Sequence, residues 1–153
     1  MAIDFTRTIP HRGDDLNNTL VGTPGQDEMY GYGGDDTLIG GFGEDYLDGG
    51  NGNDLLGGVS LEFKDDPEPD QFLFDREDGN DTITDFTPPS FSLFSSPGDK
   101  ILLLDGTPQD VDNILASANT TNTGQTVLVY GNTTIGLNGI TANEVESDWF
   151  MLV

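Results

Sequence analysis

The chain has 153 residues, and its 28 acidic side chains outnumber its 5 basic ones, so the formal net charge at pH 7 is −23. A chain this acidic repels polyanions, which argues against nucleic acid or an anionic membrane surface as a partner, and no apolar stretch reaches the roughly 18 residues of a membrane span. The absence of cysteine excludes disulfides and thiolate metal sites, and the single histidine, His11, excludes a histidine-rich zinc site.

Residues 1–12 are predicted to form an N-terminal arm, and His11 is interpreted as an exposed residue on it. The arm lacks the apolar segment of a cleavable signal peptide. Of the 28 acids, 20 lie in residues 13–85, so the negative charge is local, as a bound cation would require.

Residues 13–57 repeat every nine residues without a slip, as GDDLNNTLV, GTPGQDEMY, GYGGDDTLI, GGFGEDYLD and GGNGNDLLG. A fixed period of this kind predicts a solenoid. Positions seven to nine are predicted to be short strands whose eighth residue points inward, because side chains alternate along a strand. If one coil takes two units, Leu20, Leu38 and Leu56 stack in one sheet, and Met29 and Leu47 stack in the other.

The turns between these strands have the composition of a calcium site. Glycine permits a tight turn and lets backbone carbonyl groups approach a cation, while the aspartate at position six supplies the hard oxygen that Ca²⁺ prefers. Each ion is expected between turns two units apart. The predicted sharing pairs are Asn18 with Asp36, Asp27 with Asp45, and Asp36 with Asp54, and the predicted turn glycines are Gly22, Gly31, Gly33, Gly40 and Gly49.

The units that begin at Gly40 and Gly49 resemble GGxGxDxUx (U apolar), the hallmark of RTX, or haemolysin-type, calcium-binding proteins. The resemblance implies a parallel β-roll in which aspartates and backbone carbonyls coordinate Ca²⁺. The unit at Gly13 departs from the pattern and has Asn18 at the ligand position, which predicts a weak first site. A flexible linker is the alternative, but it does not explain the phased leucines.

A further unit is predicted to start at Gly58 and to be interrupted by an insertion at residues 59–69. Asp70 then takes the ligand position opposite Asp45, with Phe72 pointing inward.

Residues 75–86 continue the pattern, with Asp81 at a ligand position and Ile83 pointing inward. Asp78, Asp85 and Asp99 are further ligand candidates. The run FLFD…DGNDTITDF…GDKILLL resembles the junction after the roll in serralysin-type and alginate-epimerase-type RTX modules, which implies a β-rich cap after it.

The segment 88–98 is rich in turn residues and carries Phe91 and Phe94, which either fold back onto the sheet or mark a binding loop for a partner or glycan. Beyond it, Thr107 is predicted to cap a helix that ends near Ser117, and Gly131-Asn132 to join a hairpin.

A second capping box, Thr141 with Glu144, predicts a short helix near the end of the chain. The acid-then-apolar residues 146–153 resemble the uncleaved export signal of type I secreted RTX proteins. The alternative for this segment is an ordinary last strand with Trp149 in the core, and both can hold together.

The sequence therefore predicts an all-β chain, with a calcium-binding β-roll at 13–86 and a β-rich cap with short helices at 87–153. We expect about three to six Ca²⁺ ions, and a bacterial, extracellular protein exported by the type I secretion machinery. The predicted role is structural, adhesive or interactive, with a cell-surface component or glycan as partner. The alternative is a calcium-dependent carbohydrate-binding module like the R-modules of alginate epimerases. No catalytic constellation is visible.

Overall fold

The computed structural model of the chain describes residues 10–57, 68–88 and 98–153. Almost all of the predicted insertion, and both Phe91 and Phe94, lie outside these ranges. In chain order the described strands are β1 His11–Arg12, β2 Thr19–Val21, β3 Glu28–Tyr30, β4 Thr37–Ile39, β5 Tyr46–Asp48, β6 Leu55–Gly57, β7 Gln71–Phe74, β8 Asn80–Ile83, β9 Lys100–Leu103, β10 Asn119–Thr120, β11 Gln125–Tyr130, β12 Thr133–Asn138 and β13 Phe150–Leu152. The helix α1 spans Pro108–Ser117, and two 3₁₀ turns span Ala142–Glu144 and Ser147–Trp149.

The strands form two sheets between which the chain alternates. The first sheet has the order β1-β3-β5-β7-β9-β13, and the second has the order β10-β11-β12-β8-β6-β4-β2. Every pairing in the first sheet is parallel, whereas the second sheet ends in the antiparallel strands β10, β11 and β12. One coil therefore consumes two nonapeptide units, as the repeat predicted, and the all-β roll is confirmed.

The eighth position of each unit builds the core. Leu20 pairs with Leu38 and Leu38 with Leu56 in the second sheet, while Met29 pairs with Leu47 in the first. All of these except Leu20 are completely buried, and Leu20 packs against them from the open end of the roll. Full burial stabilises such a side chain by roughly 1.5–3 kcal/mol, so the short strands depend on the stacking of successive coils.

The inward positions predicted beyond the regular repeat are also confirmed. Phe72 pairs with Leu47 on one side and with Ile101 on the other, which carries the core into the C-terminal part. Ile83 pairs with Leu56 in the second sheet. Both Phe72 and Ile83 are fully buried.

The C-terminal part extends both sheets and ends the solenoid. The strand β12 lies parallel to β8 in the second sheet, and β13 lies parallel to β9 in the first. The predicted hairpin around Gly131-Asn132 is the β11–β12 pair. Thr107 caps α1 in a capping box with Asp110, as predicted, and Trp149 is buried against Phe86, with ring centroids 5.1 Å apart.

An arginine outside the repeat ties the roll to this C-terminal part. Arg76 follows β7 and donates to both carboxylate oxygens of Asp110 in α1, at 3.1 and 2.8 Å. Its guanidinium lies 4.7 Å from the centre of the Tyr130 ring. A bidentate pair of this kind is fixed in geometry and needs no metal.

The described part of the chain contains no helix with the length and apolarity that crossing a bilayer requires.

Candidate metal centre

The position-six side chains form a ladder along each long edge of the roll. The first ladder consists of Asn18, Asp36, Asp54 and Asp81. In it, the Oδ1 of each aspartate accepts a hydrogen bond from the backbone N–H of the preceding member, at 2.6, 2.7 and 2.9 Å. The predicted pairs Asn18 with Asp36 and Asp36 with Asp54 are therefore neighbours. Asp81 adds a rung beyond the regular repeat.

The second ladder consists of Asp27, Asp45, Asp70 and Asp99, on the opposite edge. Asp45 accepts from the Asp27 N–H at 2.9 Å, Asp70 from the Asp45 N–H at 2.9 Å, and Asp99 from the Asp70 N–H at 3.0 Å. The structure thus places Asp70 next to Asp45, where the sequence predicted it. Asp99 joins the same series although no nonapeptide pattern leads up to it. The ladder of carboxylates therefore continues beyond the end of the sequence repeat.

The carboxylates of the first ladder are only half satisfied by the protein. Asp36, Asp54 and Asp81 are at least 96% buried, and their Oδ2 atoms have no hydrogen-bond partner. A buried charged oxygen without a partner is strongly unfavourable unless a cation compensates it. These orphaned oxygens are the first sign that the ladder fits a hard metal ion.

The glycines at position one leave a polar cradle beside each carboxylate. A Cβ on Gly31 would stand 2.2 Å from Asp36 Oδ2 and 2.4 Å from the carbonyl oxygen of Gly49. Carboxylate and carbonyl oxygens thus border one small space that any other side chain would fill. The same arrangement holds for Gly13 with Asn18 and Gly31, and for Gly22 with Asp27 and Gly40. Such mixed oxygen groups are the ligands that Ca²⁺ takes in proteins.

Burial also shifts the ionisation of the ladder acids. It raises the pKa of Asp54 to about 6 and that of Asp81 to about 7, and it raises the pKa of Asp36. Neighbouring carboxylates add to the shift, while the accepted backbone N–H bonds oppose it. Without a bound cation, the ionised form of these three carboxyl groups is therefore disfavoured in the fold. Within residues 10–57, 68–88 and 98–153, no three His, Asp or Glu side chains converge on one point, so an ion would need backbone carbonyls as well.

The ends of the second ladder are satisfied by the protein. His11 lies in β1 beside β3, and its Nε2 is 3.2 Å from Asp27 Oδ1. The interpretation of His11 as an exposed residue on a loose arm is therefore wrong, because the strand holds it, half-buried, at the end of the ladder. The other oxygen of Asp27 accepts from the Thr23 N–H at 2.6 Å. At the far end, Asp99 Oδ2 accepts from the Thr87 N–H at 2.7 Å.

Asp78, Asp85 and Gly33 lie outside both ladders. Asp78 is buried, but its carboxylate accepts the Asp75 N–H and so closes a local turn. Asp85 is half-buried and lies after the end of β8. Gly33 pairs with Asn51 between neighbouring turns, and a Cβ on it would meet no atom closer than 3.8 Å. The structure therefore brings together the position-six acids and the position-one glycines, but not these three residues.

A further ladder, at position five, went unnoticed in the sequence. Asp35 accepts from Asn53 through both its N–H and its Nδ2, at 2.9 and 3.0 Å, and Asn53 accepts from Asn80 in the same way. Asn17 accepts the Asp35 N–H, and Asn80 accepts the Thr134 hydroxyl. We call the series Asn17, Asp35, Asn53 and Asn80 the position-five ladder. The 18-residue spacing of its first three members was its only sequence signal.

Comparison with known proteins agrees with this geometry. The RTX calcium-binding nonapeptide repeat, taken as four copies, matches residues 12–47 and 21–56. No curated protein matches the sequence.

Among solved structures, the chain is similar to the extracellular lipase LipA from Serratia marcescens, with 26% identity, a TM-score of 0.65 and 94% of the chain covered. The chain spans about a fifth of that lipase, at 21% of its length. It is also similar to the AlgE6R3 subunit of the Azotobacter vinelandii mannuronan C5-epimerase, with 29% identity and a TM-score of 0.63, covering 91% of this chain and 80% of that one. Residues 12–56 are a run of RTX calcium-binding nonapeptide repeats, and the chain has the parallel β-roll fold that these similar structures share.

Proposed function

We propose that this chain is a secreted module that folds on binding Ca²⁺ outside the cell and then serves a structural, adhesive or interactive role. One observation carries the proposal: the stacked, buried Oδ2 atoms of Asp36, Asp54 and Asp81, which no protein donor satisfies. A divalent cation would compensate the negative charge on these buried oxygens. Its binding would then stabilise the fold, since binding free energy becomes folding free energy.

The ladders supply the ligands that the ions would use. In the first ladder these are Asp36, Asp54 and Asp81, with Asn18 at the weak end, and in the second they are Asp27, Asp45 and Asp70, with Asp99 as an added member. The carbonyl oxygens beside them belong to Gly31, Gly40 and Gly49. When bound, Ca²⁺ supplies positive charge and a preference for six to eight oxygen ligands. Three intervals on each edge allow about six ions, which would offset about 12 of the 23 negative charges.

Calcium concentration then decides where the chain folds. Extracellular calcium modules bind at roughly 10⁻⁴–10⁻³ M, which is far above the free calcium inside a cell. Inside, self-repulsion would keep the chain expanded, a state suited to export by a type I machinery. Residues 146–153, which resemble an export signal, include β13, and Met151, Leu152 and Val153 are exposed at 45%, 42% and 51%.

We infer that the chain itself is not catalytic. Its single histidine contacts Asp27, and the Oδ1 atoms of the ladder acids Asp54, Asp70 and Asp81 accept backbone N–H groups. One similar structure is a lipase and another is a subunit of an epimerase, so attachment to a catalytic domain is compatible with this role.

The test is to follow folding as calcium is added. In EDTA we expect a far-ultraviolet circular dichroism spectrum with little β-structure, and exposed emission from Trp149, the only tryptophan. Calcium in the millimolar range should restore the β spectrum and bury Trp149 against Phe86. Magnesium at the same concentration is the control, because it demands a tighter octahedral site. An unchanged β content in EDTA would rule the proposal out.

A second candidate is a calcium-dependent carbohydrate-binding module. The likeness to a subunit of a mannuronan C5-epimerase, over 91% of this chain, favours it. Affinity electrophoresis through gels that contain polysaccharide, with and without calcium, tests this candidate independently of folding. A mobility that no polysaccharide alters in calcium would exclude it.

A further inference from the structure

The outer face of the first sheet carries an aromatic surface. Met29 and Leu47 point into the core, so Tyr30 and Tyr46 on the neighbouring strands β3 and β5 point outward. Their ring centroids are 5.8 Å apart. Tyr32, in the turn after β3, stacks on Tyr30 at 6.3 Å with an interplanar angle of 22°. The three rings adjoin one another on the surface of the roll, with the Tyr46 ring tilted by 49° from the Tyr30 ring, and we call them the platform.

Arg12 completes this platform. Its guanidinium lies 5.3 Å from the centre of the Tyr30 ring, and it donates to the Tyr32 hydroxyl. Cation–π contact and hydrogen bond together hold the two rings in a fixed orientation. We call Arg12, Tyr30, Tyr32 and Tyr46 the tyrosine face. A platform held in place before binding loses little entropy when a ligand arrives.

Tyr32 occupies a backbone conformation that a tyrosine rarely adopts. Its φ is +77°, whereas the second position of the next two units is Gly41 and Gly50, with φ of +114° and +82°. Glycine adopts this conformation without strain, but a side chain does not. A strained aromatic residue that is 43% exposed stabilises no core, so its ring points to a surface function.

A polar groove of about 200 Å³ adjoins the platform. Its lining residues include Tyr46 and two residues of the second ladder. The full lining is Gln26, Asp27, Glu28, Glu44, Asp45, Tyr46 and Gln71. Gln26 donates to Glu44 at 2.7 Å, which aligns two of these side chains side by side. An aromatic platform beside planar polar side chains can pack the C–H face of a pyranose ring and receive its hydroxyl protons.

We propose that the tyrosine face and the adjoining groove bind a neutral glycan; this inference rests on the carbohydrate-binding candidate above. The charges select the class of ligand. Glu28, Glu44 and Asp48 surround the rings, and Arg12 is engaged within the face. A polyuronate would meet net repulsion there, whereas uncharged sugar hydroxyls find acceptors. The predicted ligand therefore differs in charge from mannuronan, on which the enzyme of the AlgE6R3 relative acts.

Affinity electrophoresis in calcium tests the inference with four polysaccharide gels: a soluble β-glucan, a galactomannan, a dextran and alginate. At least one neutral polysaccharide should retard the native chain, and alginate should not. Tyr32→Gly should weaken the retardation about tenfold while preserving the fold, because glycine relieves the strain at this position. Tyr46→Ala should weaken it as well. Leu55→Ala, which alters a residue 41% exposed on the other sheet, is the control and should bind like the native chain.

Each other result overturns the inference. These results are no retardation by any of the three neutral gels, unchanged binding by Tyr32→Gly and Tyr46→Ala, or stronger retardation by alginate than by every neutral gel. Calcium titrations of every variant by circular dichroism show whether it folds. A failure of calcium-dependent folding is thus distinguished from a failure of glycan binding.

Discussion

The negative charge of the ladder carboxylates should stabilise the fold in calcium and destabilise it without calcium. The substitution Asp54→Asn tests this because it removes one such charge. The asparagine keeps an Oδ1 that accepts the Asp36 N–H at 2.7 Å, and it replaces only the buried, partnerless Oδ2. Without calcium, the charge of Asp54 is unfavourable, because burial raises its pKa from 3.8 to about 6. At pH 7 this corresponds to roughly 3 kcal/mol, an upper limit that solvent screening reduces.

With calcium, the same substitution removes a ligand from the ions on both sides of Asp54. Removing one partner of a buried ion pair costs about 3–5 kcal/mol. We therefore expect Asp54→Asn to lower the free energy of unfolding in calcium by about 3 kcal/mol or more, and to raise it in EDTA.

Urea titrations monitored by Trp149 fluorescence, in calcium and in EDTA, measure both effects, and isothermal titration calorimetry measures the number of ions. If the native chain has too little structure in EDTA for a transition, a stabilising osmolyte added to both buffers makes the comparison possible. Asp35→Asn is the matched control, since it makes the same chemical change at an exposed residue of the position-five ladder. It should change stability little in either buffer. Equal destabilisation by Asp54→Asn in calcium and in EDTA would refute the reasoning.

The remaining predictions concern the glycine at position one, the pH dependence of stability, and the ion pair between Arg76 and Asp110, which we call the arginine clasp. Gly31→Ala should cost about 1–3 kcal/mol and weaken calcium binding, because its Cβ would lie 2.4 Å from the Gly49 carbonyl; Gly25→Ala, with no neighbour closer than 3.8 Å, is the control for thermal melts and calorimetry. In EDTA with the same stabilising osmolyte, stability should rise as pH falls from about 7 towards about 4, since the raised pKa values of Asp54 and Asp81 mean that the fold takes up protons there; melts that lose stability over this range would contradict it. Arg76→Gln should lower the melting temperature through loss of about 1 kcal/mol without changing calcium affinity, and a change in affinity would show that the clasp is coupled to the ladders.

The parts of the fold that depend on short-range pattern were predictable from the sequence. The nine-residue period places Leu38 and Leu56 in register because each coil repeats the same backbone path. The helix α1 begins where Thr107 and Asp110 can cap it, which four consecutive residues decide. Asp70 was predictable despite the interruption, because Phe72 after it had to point inward.

The parts that depend on contacts between distant segments were not predictable in this way. Nothing near Asp99 in the sequence shows that its carboxylate reaches the Asp70 N–H. His11 looked like a residue of a loose arm until β1 paired with β3. The clasp between Arg76 and Asp110 joins residues 34 positions apart. Each of these contacts follows from the number of coils and from where the chain leaves the roll, and no local propensity encodes either.

The position-five ladder shows what the carboxylates at position six are for. In both ladders a side-chain oxygen accepts a backbone N–H of an adjacent coil. The donor lies in the preceding coil at position six, at 2.7 Å for Asp54, and in the following coil at position five, at 2.9 Å for Asp35. At position five an amide suffices for this bond, as Asn17 and Asn53 demonstrate, and the one carboxylate, Asp35, is exposed to water. Asparagine would therefore also satisfy the hydrogen bonds at position six, without the cost of burying a charge. Three stacked, buried aspartates are explained only if their negative charge binds something. A divalent cation between successive coils, coordinated by the carboxylates, is the partner that explains it.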